Sequence, residues 1–147
     1  MEAKYKGIDV SKWQGDINWE KVRASGVEFA MLRAGFGRCQ GQNDTSFERN
    51  YREAKKNGIL VGAYHYSYAK TVSDAEKEAE YFLSLISGKS FEFPVAFDIE
   101  DNSQKNLSRE EISNIVEAFC GRTEKAGYFV SVYANLWWLN NKISDRV

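Results

Sequence analysis

The chain has 147 residues, of which 43% are hydrophobic and 14% aromatic, and its formal net charge is −1. That length suits one ordinary domain, and the near balance of 20 basic and 21 acidic residues gives no reason to expect a nucleic acid as partner. No apolar run approaches the ~20 residues that cross a bilayer, and no secretory signal is visible at the N-terminus. We therefore expect a single domain, residues 1–147, with no membrane partner.

Strand-like and helix-like segments alternate along the sequence. An initial strand is predicted at about residues 5–10, and four more apolar, β-rich runs each follow a glycine that can end a helix. These four runs begin near Ser25, Asn57, Ser87 and Ala126. The predicted helices start at Asn18 and cover 44–57, 73–87, 108–126 and 135–143.

Capping signals and apolar spacing add detail to this pattern. The sequences Ser73-x-x-Glu76 and Ser108-x-x-Glu111 read as capping boxes that open two of the helices. Phe29, Phe82 and Phe119 are expected in the core.

The order β-α repeated five times predicts an α/β fold with a parallel sheet and right-handed crossovers. Two architectures fit, a TIM-like barrel and an open doubly wound sheet. Length favours the open sheet, because barrels usually need ~200 residues or more. The first βα turn, GIDVSKWQG, lacks the glycine patterns of nucleotide-binding loops.

Polar residues cluster where the predicted strands end. In both architectures ligands bind beyond the carboxyl ends of the strands, and residues two apart on a strand share a face. We expect the polar side chains of five strands to converge on one site. The candidate site residues are Asp9, Arg33, Tyr64, Tyr66, Asp98, Glu100 and Tyr133.

Asp98 and Glu100 form the pair with the clearest chemical potential. Their side chains should lie roughly 6–7 Å apart on one face of a strand, so that each disfavours the charge of the other and one holds its proton near neutral pH. A general acid for glycosidic cleavage needs such a proton. A solvated strand end and an acidic metal site are the alternatives, and only His65 could join a metal cluster.

Other reactive side chains carry weaker signals. His65 has the opposite parity to Tyr64 and Tyr66, so we expect it to face a helix, and no G-x-S-x-G motif supports a hydrolase triad. Cys39 and Cys120 match no metal spacing and are expected to be reduced and structural. Tyrosine rings beside carboxylates would suit sugar rings, which have apolar C–H faces and hydroxyl edges.

Five motifs, taken in order, resemble glycoside hydrolase family 25, the Chalaropsis-type lysozymes or N-acetylmuramidases. They are GIDVSKWQG at 7–15, LRAG at 32–35, GAYHY at 62–66, AFDIE at 96–100 and VY at 132–133. The resemblance covers essentially the whole chain.

The resemblance implies an irregular (β/α)5(β)3 barrel and hydrolysis of the β-1,4 bond between N-acetylmuramic acid and N-acetylglucosamine in bacterial peptidoglycan. By carry-over, Glu100 is the general acid, and Asp9 and Asp98 complete the catalytic group. Residues that map to the family's sugar-binding groove are Arg33, Tyr64 and Tyr133; Tyr66 is placed with them by parity. No metal and no organic cofactor is expected. A phage endolysin or a bacterial autolysin, made in the cytoplasm and acting on the cell wall, fits this activity.

The family barrel has eight strands, whereas only five βα units are predicted here. We therefore expect a C-terminally incomplete catalytic domain whose first and fifth strands expose edges and apolar surface, with Trp137 and Trp138 partly uncovered. Self-association through that open edge is one expected consequence. A cell-wall glycan-binding module without activity is the alternative function, and a chitinase-like hydrolase is a third.

Overall fold

The computed structural model describes residues 4–147, so residues 1–3 of the predicted domain lie outside it. The strands are β1 (Gly7–Val10), β2 (Phe29–Phe36), β3 (Leu60–Tyr66), β4 (Val95–Asp98) and β5 (Val130–Tyr133). The helices are α1 (Trp19–Ala24), α2 (Phe47–Lys56), α3 (Val72–Ile86), α4 (Arg109–Lys125) and α5 (Leu136–Asn141). Short 3-10 turns follow β1 at Lys12–Gln14 and β4 at Asn102–Gln104.

All five strands are parallel and lie side by side in the order β1-β2-β3-β4-β5. The predicted α/β class with a parallel sheet is thus confirmed. A doubly wound sheet needs a point at which the strand order reverses, and this sequential order has none, so the preference for an open doubly wound sheet was wrong. In the described residues β1 and β5 are the two edge strands.

The main core lies between one face of the sheet and the helices. Alternate residues of the central strands, such as Leu32 and Phe97, are fully buried there. The Phe97 ring stacks on Phe119 of α4, with 4.0 Å between ring centroids. Phe82 and Phe119 are core residues as predicted, but Phe29 is not among the fully buried residues.

Phe29 lies on the other face of the sheet, which we call the inner face. It is half-buried and stacks on Phe93 at a centroid distance of 4.3 Å. Its strand parity is that of Met31, so it cannot turn toward the helices. The prediction that Phe29 is a core residue was therefore wrong.

Helix starts follow the sequence signals at α1, α4 and α5, whereas α2 begins only at Phe47, after the predicted start at residue 44. The Ser108 hydroxyl accepts from the Glu111 amide at 3.1 Å, and the Glu111 carboxylate accepts from the Ser108 amide at 2.7 Å, which confirms that capping box. Helix α3 instead begins after Thr71, whose hydroxyl accepts from the Asp74 amide at 3.0 Å. The Ser73 box was wrong, because Thr71 caps the chain two residues earlier and leaves Ser73 inside the first turn.

The open side of the sheet exposes large apolar side chains near β5, as expected. Phe129 is 79% exposed and Leu136 is 72% exposed. Trp137 is 58% exposed but Trp138 is only 5% exposed, so the expectation for Trp138 was wrong. On a helix, adjacent residues point in directions about 100° apart, and only one of them can reach the core.

Cys39 and Cys120 are both free, and Cys39 is exposed whereas Cys120 is half-buried. Within residues 4–147, no helix has the length and apolar character needed to cross a membrane.

Candidate active site

Each of the five strands contributes a side chain to one pocket on the inner face. These side chains are Asp9 of β1, Met31 of β2, Tyr64 of β3, Asp98 of β4 and Tyr133 of β5. Four of them belong to the candidates chosen from strand parity. The apolar floor continues with Gly7, Phe29 and Ala96.

The sheet register explains why these residues meet. Asp98 is paired with Tyr66 on one side and with Tyr133 on the other. Gly62 lies beside Met31 of the pocket lining, and a Cβ atom on it would lie 2.5 Å from both the Met31 sulfur and the Pro94 carbonyl oxygen. Because a side chain there would push into the neighbouring strands, the pocket depends on that glycine.

Asp98 is the most strongly perturbed carboxyl group of the pocket. It is 7% exposed, and its Oδ1 atom has no hydrogen-bond partner among the described residues. Burial raises the pKa of Asp98 to about 7, and the negative charges of Glu100 and Asp9 add to the effect. The sequence predicted that one carboxyl of the pair keeps its proton near neutral pH, and the raised pKa of Asp98 agrees with that expectation.

Glu100 lies just past the end of β4 and is half-buried. Its Oε2 atom accepts a hydrogen bond of 2.6 Å from the backbone amide of Asn135, the residue that caps α5. The loop after β5 therefore fixes this carboxylate next to the pocket that Asp98 lines, although Glu100 is not among the residues lining the pocket itself.

Two phenol groups face the carboxylates. Burial raises the pKa of Tyr64, the Arg33 charge opposes that effect, and the charges of Asp9 and Asp98 reinforce it. The pKa of Tyr133 is raised too, by burial and by Glu100, Asp9 and Asp98. Both phenols therefore stay protonated near neutral pH and can donate hydrogen bonds to a ligand.

Arg33 is held beside the pocket rather than in its lining. Its Nε atom donates to Asp44 Oδ2 at 2.8 Å, and its guanidinium group lies over the Phe36 ring. The side chain of Asp44 is fully buried and also accepts from the backbone amides of Lys12 and Ser46, at 3.0 and 2.9 Å. Sequence reasoning missed Asp44, because nothing in its polar loop shows that the chain folds back onto β2.

Tyr66 is likewise drawn away from the pocket lining. Its hydroxyl donates to Asp101 Oδ1 at 2.9 Å. Burial raises the pKa of Tyr66, and so does the hydrogen bond to Asp101. The structure therefore places Tyr66 as a support for the loop that follows Glu100.

A buried polar cluster behind the sheet was also missed. Gln104 Nε2 donates to Ser67 Oγ at 3.2 Å and to the Ala69 carbonyl at 2.8 Å. The Glu78 carboxylate accepts from the Tyr68 amide at 2.9 Å. These bonds join the loops after β3 and β4 to α3, and thereby support the segment that carries Glu100.

His65 packs against the helices, as its parity predicted. It is completely buried, edge-on to Phe82, and its Nε2 atom lies 2.8 Å from the Gly37 carbonyl oxygen. Burial lowers the pKa of His65 to about 4, so the ring is neutral. Residues 4–147 contain no group of three or more His, Cys, Asp or Glu residues that could hold a metal ion.

Comparison with known proteins decides the family. Residues 8–147 match the glycosyl hydrolases family 25. This chain belongs to that family. The resemblance inferred from the five motifs is thereby confirmed, and the site described above occupies the inner face of a family 25 domain.

One named relative and two solved structures illustrate what this family 25 chain is similar to. It is 34% identical over 145 residues to lysozyme M1 of Streptomyces globisporus, an alignment that covers 92% of this chain and 48% of that protein. A family 25 glycosyl hydrolase from Bacillus anthracis superposes with a TM-score of 0.83 at 27% identity, covering 99% of this chain and 68% of that one. The modular autolysin LytC of Streptococcus pneumoniae, solved with a synthetic peptidoglycan ligand, gives 0.83 at 27% identity, covering 94% of this chain and 34% of that one.

This family 25 chain spans about half the length of lysozyme M1.

Proposed function

We propose that the chain is a muramidase that hydrolyses the β-1,4 bond between N-acetylmuramic acid and N-acetylglucosamine in bacterial peptidoglycan. The observation that carries the proposal is the convergence of two carboxyl groups, Asp9 and Asp98, with the phenols of Tyr64 and Tyr133 in one open pocket, with Glu100 fixed beside it. Lysozyme names among the relatives and the peptidoglycan ligand of LytC point to the same substrate.

Glu100 is the general acid in this proposal. It lies past the end of β4, where the leaving oxygen of a bound glycan can approach it, whereas Asp98 is almost fully buried. Burial and the negative charge of Glu100 raise the pKa of Asp98 to about 7, so that a proton is held next to Glu100 near neutral pH. When the glycosidic bond breaks, Glu100 gives a proton to the leaving oxygen.

The remaining polar groups act on the sugar at the cleaved bond. Asp98 orients the 2-acetamido group, whose carbonyl oxygen attacks the anomeric carbon as an internal nucleophile. Asp9 stabilises the positive charge that develops on that carbon. Water then attacks the anomeric carbon and gives one proton to the Glu100 carboxylate while the bond to the acetamido oxygen breaks, so the anomeric configuration is retained.

The substrate binds along the pocket by its rings and hydroxyl groups. The phenols of Tyr64 and Tyr133 donate to sugar oxygens, and the apolar floor at Met31 and Ala96 accepts the C–H face of a ring. Arg33, which is paired with Tyr64 in the sheet, binds the sugar from the same side as Tyr64. Tyr66 acts indirectly, through its hydrogen bond to Asp101.

The proposal extends to architecture and place of action. The five βα units would form the wall of a (β/α)5(β)3 barrel whose last three strands cover the open edge. The cell wall would be the place of action, and the chain would serve as a phage endolysin or a bacterial autolysin made in the cytoplasm.

The test is release of new reducing ends from purified peptidoglycan. The wild-type chain should release them, and Glu100→Gln should lower the rate by about 10²-fold or more, the usual contribution of a general acid. Glu124→Gln is the matched control, since Glu124 is exposed on α4. Binding of peptidoglycan without release would show a glycan-binding module instead, and faster cleavage of chitin would show a different glycosidase.

A further inference from the structure

One large aromatic side chain outside the pocket lies on the surface and takes no part in the core. Trp13 lies on the 3-10 turn Lys12–Gln14 and is 76% exposed. Trp19 and Trp138, by comparison, are 2% and 5% exposed. The turn directly follows the carboxyl end of β1, the strand whose Asp9 lines the pocket, so Trp13 stands at the edge of the sheet where the ligand must enter.

The turn that presents Trp13 is fixed by hydrogen bonds on three sides. The Ser11 amide donates to Gln14 Oε1 at 2.6 Å, and the Trp13 amide donates to Ser11 Oγ at 3.3 Å. The Lys12 amide donates to the buried Asp44 carboxylate at 3.0 Å. The base of the indole is thus ordered before any ligand arrives, which lowers the entropic cost of a contact made there.

The indole of Trp13 has a cation beside it. The Lys12 ammonium group lies over the ring, 5.0 Å from its centroid. With 76% of the residue exposed, most of the ring surface is open to solvent. An apolar face of this size, on a fixed base and beside a glycan pocket, has the chemistry to pack against the C–H face of a pyranose ring.

We propose that Trp13 forms a separate sugar subsite, in which its exposed indole ring stacks on a pyranose ring of the same glycan strand, beyond the rings held in the pocket. This inference rests on the proposed function, because it takes the peptidoglycan strand as the ligand. Trp13 is a binding residue here, and Lys12 positions its ring.

Fluorescence can observe the contact directly. Trp137 is the other exposed tryptophan, so a Trp137→Phe chain leaves Trp13 as the principal target of the quencher acrylamide. Addition of soluble peptidoglycan glycan strands of six or more sugars should shield this signal and move its emission to the blue. An unchanged quenching constant under saturating glycan would overturn the subsite.

Binding and kinetics supply the second measurement. Trp13→Ala should weaken binding of these strands, and raise KM on them, by about tenfold with kcat nearly unchanged, the loss expected for one aromatic contact. Trp13→Tyr should recover most of the affinity. Phe129→Ala is the matched control, since Phe129 is an exposed aromatic at the opposite, amino end of β5.

The two proposals fail in different ways. Release of reducing ends with equal KM in wild type and Trp13→Ala would refute the subsite and leave the muramidase assignment standing. Trp13-dependent binding without release would support the subsite and refute the hydrolysis. No binding of glycan strands by the wild-type chain would overturn the subsite.

Discussion

Replacing Asp98 by Asn should stabilise the folded chain above neutral pH, even though it removes a proposed active-site group. Asp98 is 7% exposed, and its pKa rises from 3.8 to about 7 on folding. At pH 8 the folded chain must hold this carboxylate ionised beside Glu100 and Asp9, whereas the unfolded chain holds it in water. A rise of about three pKa units corresponds to about 4 kcal/mol, which is the upper limit of the gain from Asp98→Asn.

The gain should disappear in acid. At about pH 4 the folded chain carries Asp98 protonated and the unfolded chain is close to half protonated, so ionisation costs the wild type almost nothing. The wild-type chain therefore loses stability progressively as the pH rises from about 4 to 7, because the buried Asp98 carboxyl resists ionisation over that range. Under the proposed mechanism, glycan hydrolysis by Asp98→Asn should nevertheless fall, because the carboxyl group that orients the acetamido group is gone.

Urea unfolding, followed by tryptophan fluorescence at about pH 4 and pH 8, measures this difference. Asp101→Asn is the control of opposite sign: burial acts against it, but hydrogen bonds, chiefly from Ser103, hold the pKa of Asp101 below its usual value. That variant should lose stability at pH 8. Equal stability of Asp98→Asn and wild type at pH 8, or the same gain at both pH values, would refute the argument.

Three further predictions concern the surroundings of the site. Asp44→Ala should lower the free energy of unfolding by about 3–5 kcal/mol, because it leaves the Arg33 guanidinium group largely buried without its counter-ion. Gly62→Ala should destabilise the chain by more than about 1 kcal/mol and distort the pocket floor, since the new Cβ would meet the Pro94 carbonyl at 2.5 Å. We also expect concentration-dependent self-association through the apolar edge near β5, weakened by Phe129→Glu and measured by light scattering after size exclusion.

Each of these has a control within the chain. Asp16→Ala removes an exposed aspartate and should change stability by less than about 0.5 kcal/mol. Gly121→Ala, in α4 with open space around its Cβ position, should be neutral or stabilising. Val72→Glu alters an exposed apolar residue away from β5 and should leave the association unchanged. Each prediction would be contradicted by one result. These are an Asp44→Ala chain as stable as the wild type, a Gly62→Ala chain that loses no stability, and a wild-type chain that stays monomeric at all concentrations.

The sequence by itself determined the elements and their order. Helix-ending glycines, period-2 apolar runs and cap residues such as Asn18, Ser108 and Asn135 act over a few residues, so they can be read without the fold. Strand parity is equally local, and it was enough to place Asp98, Tyr64 and Tyr133 on the inner face, with Asp9 predicted at the end of the first strand. The family motifs lie on those same strands.

Only the tertiary structure decided which side chains of the site are held by ion pairs and which have a shifted pKa. Asp44 lies 11 residues after Arg33, yet the pair forms because the intervening chain folds back onto β2. The pKa of Asp98 is raised first because the side chain is buried, and further because Glu100, just past the end of the same strand, and Asp9, on β1, add negative charge. Desolvation and charge interactions depend on three-dimensional neighbours, and no spacing along the chain encodes them.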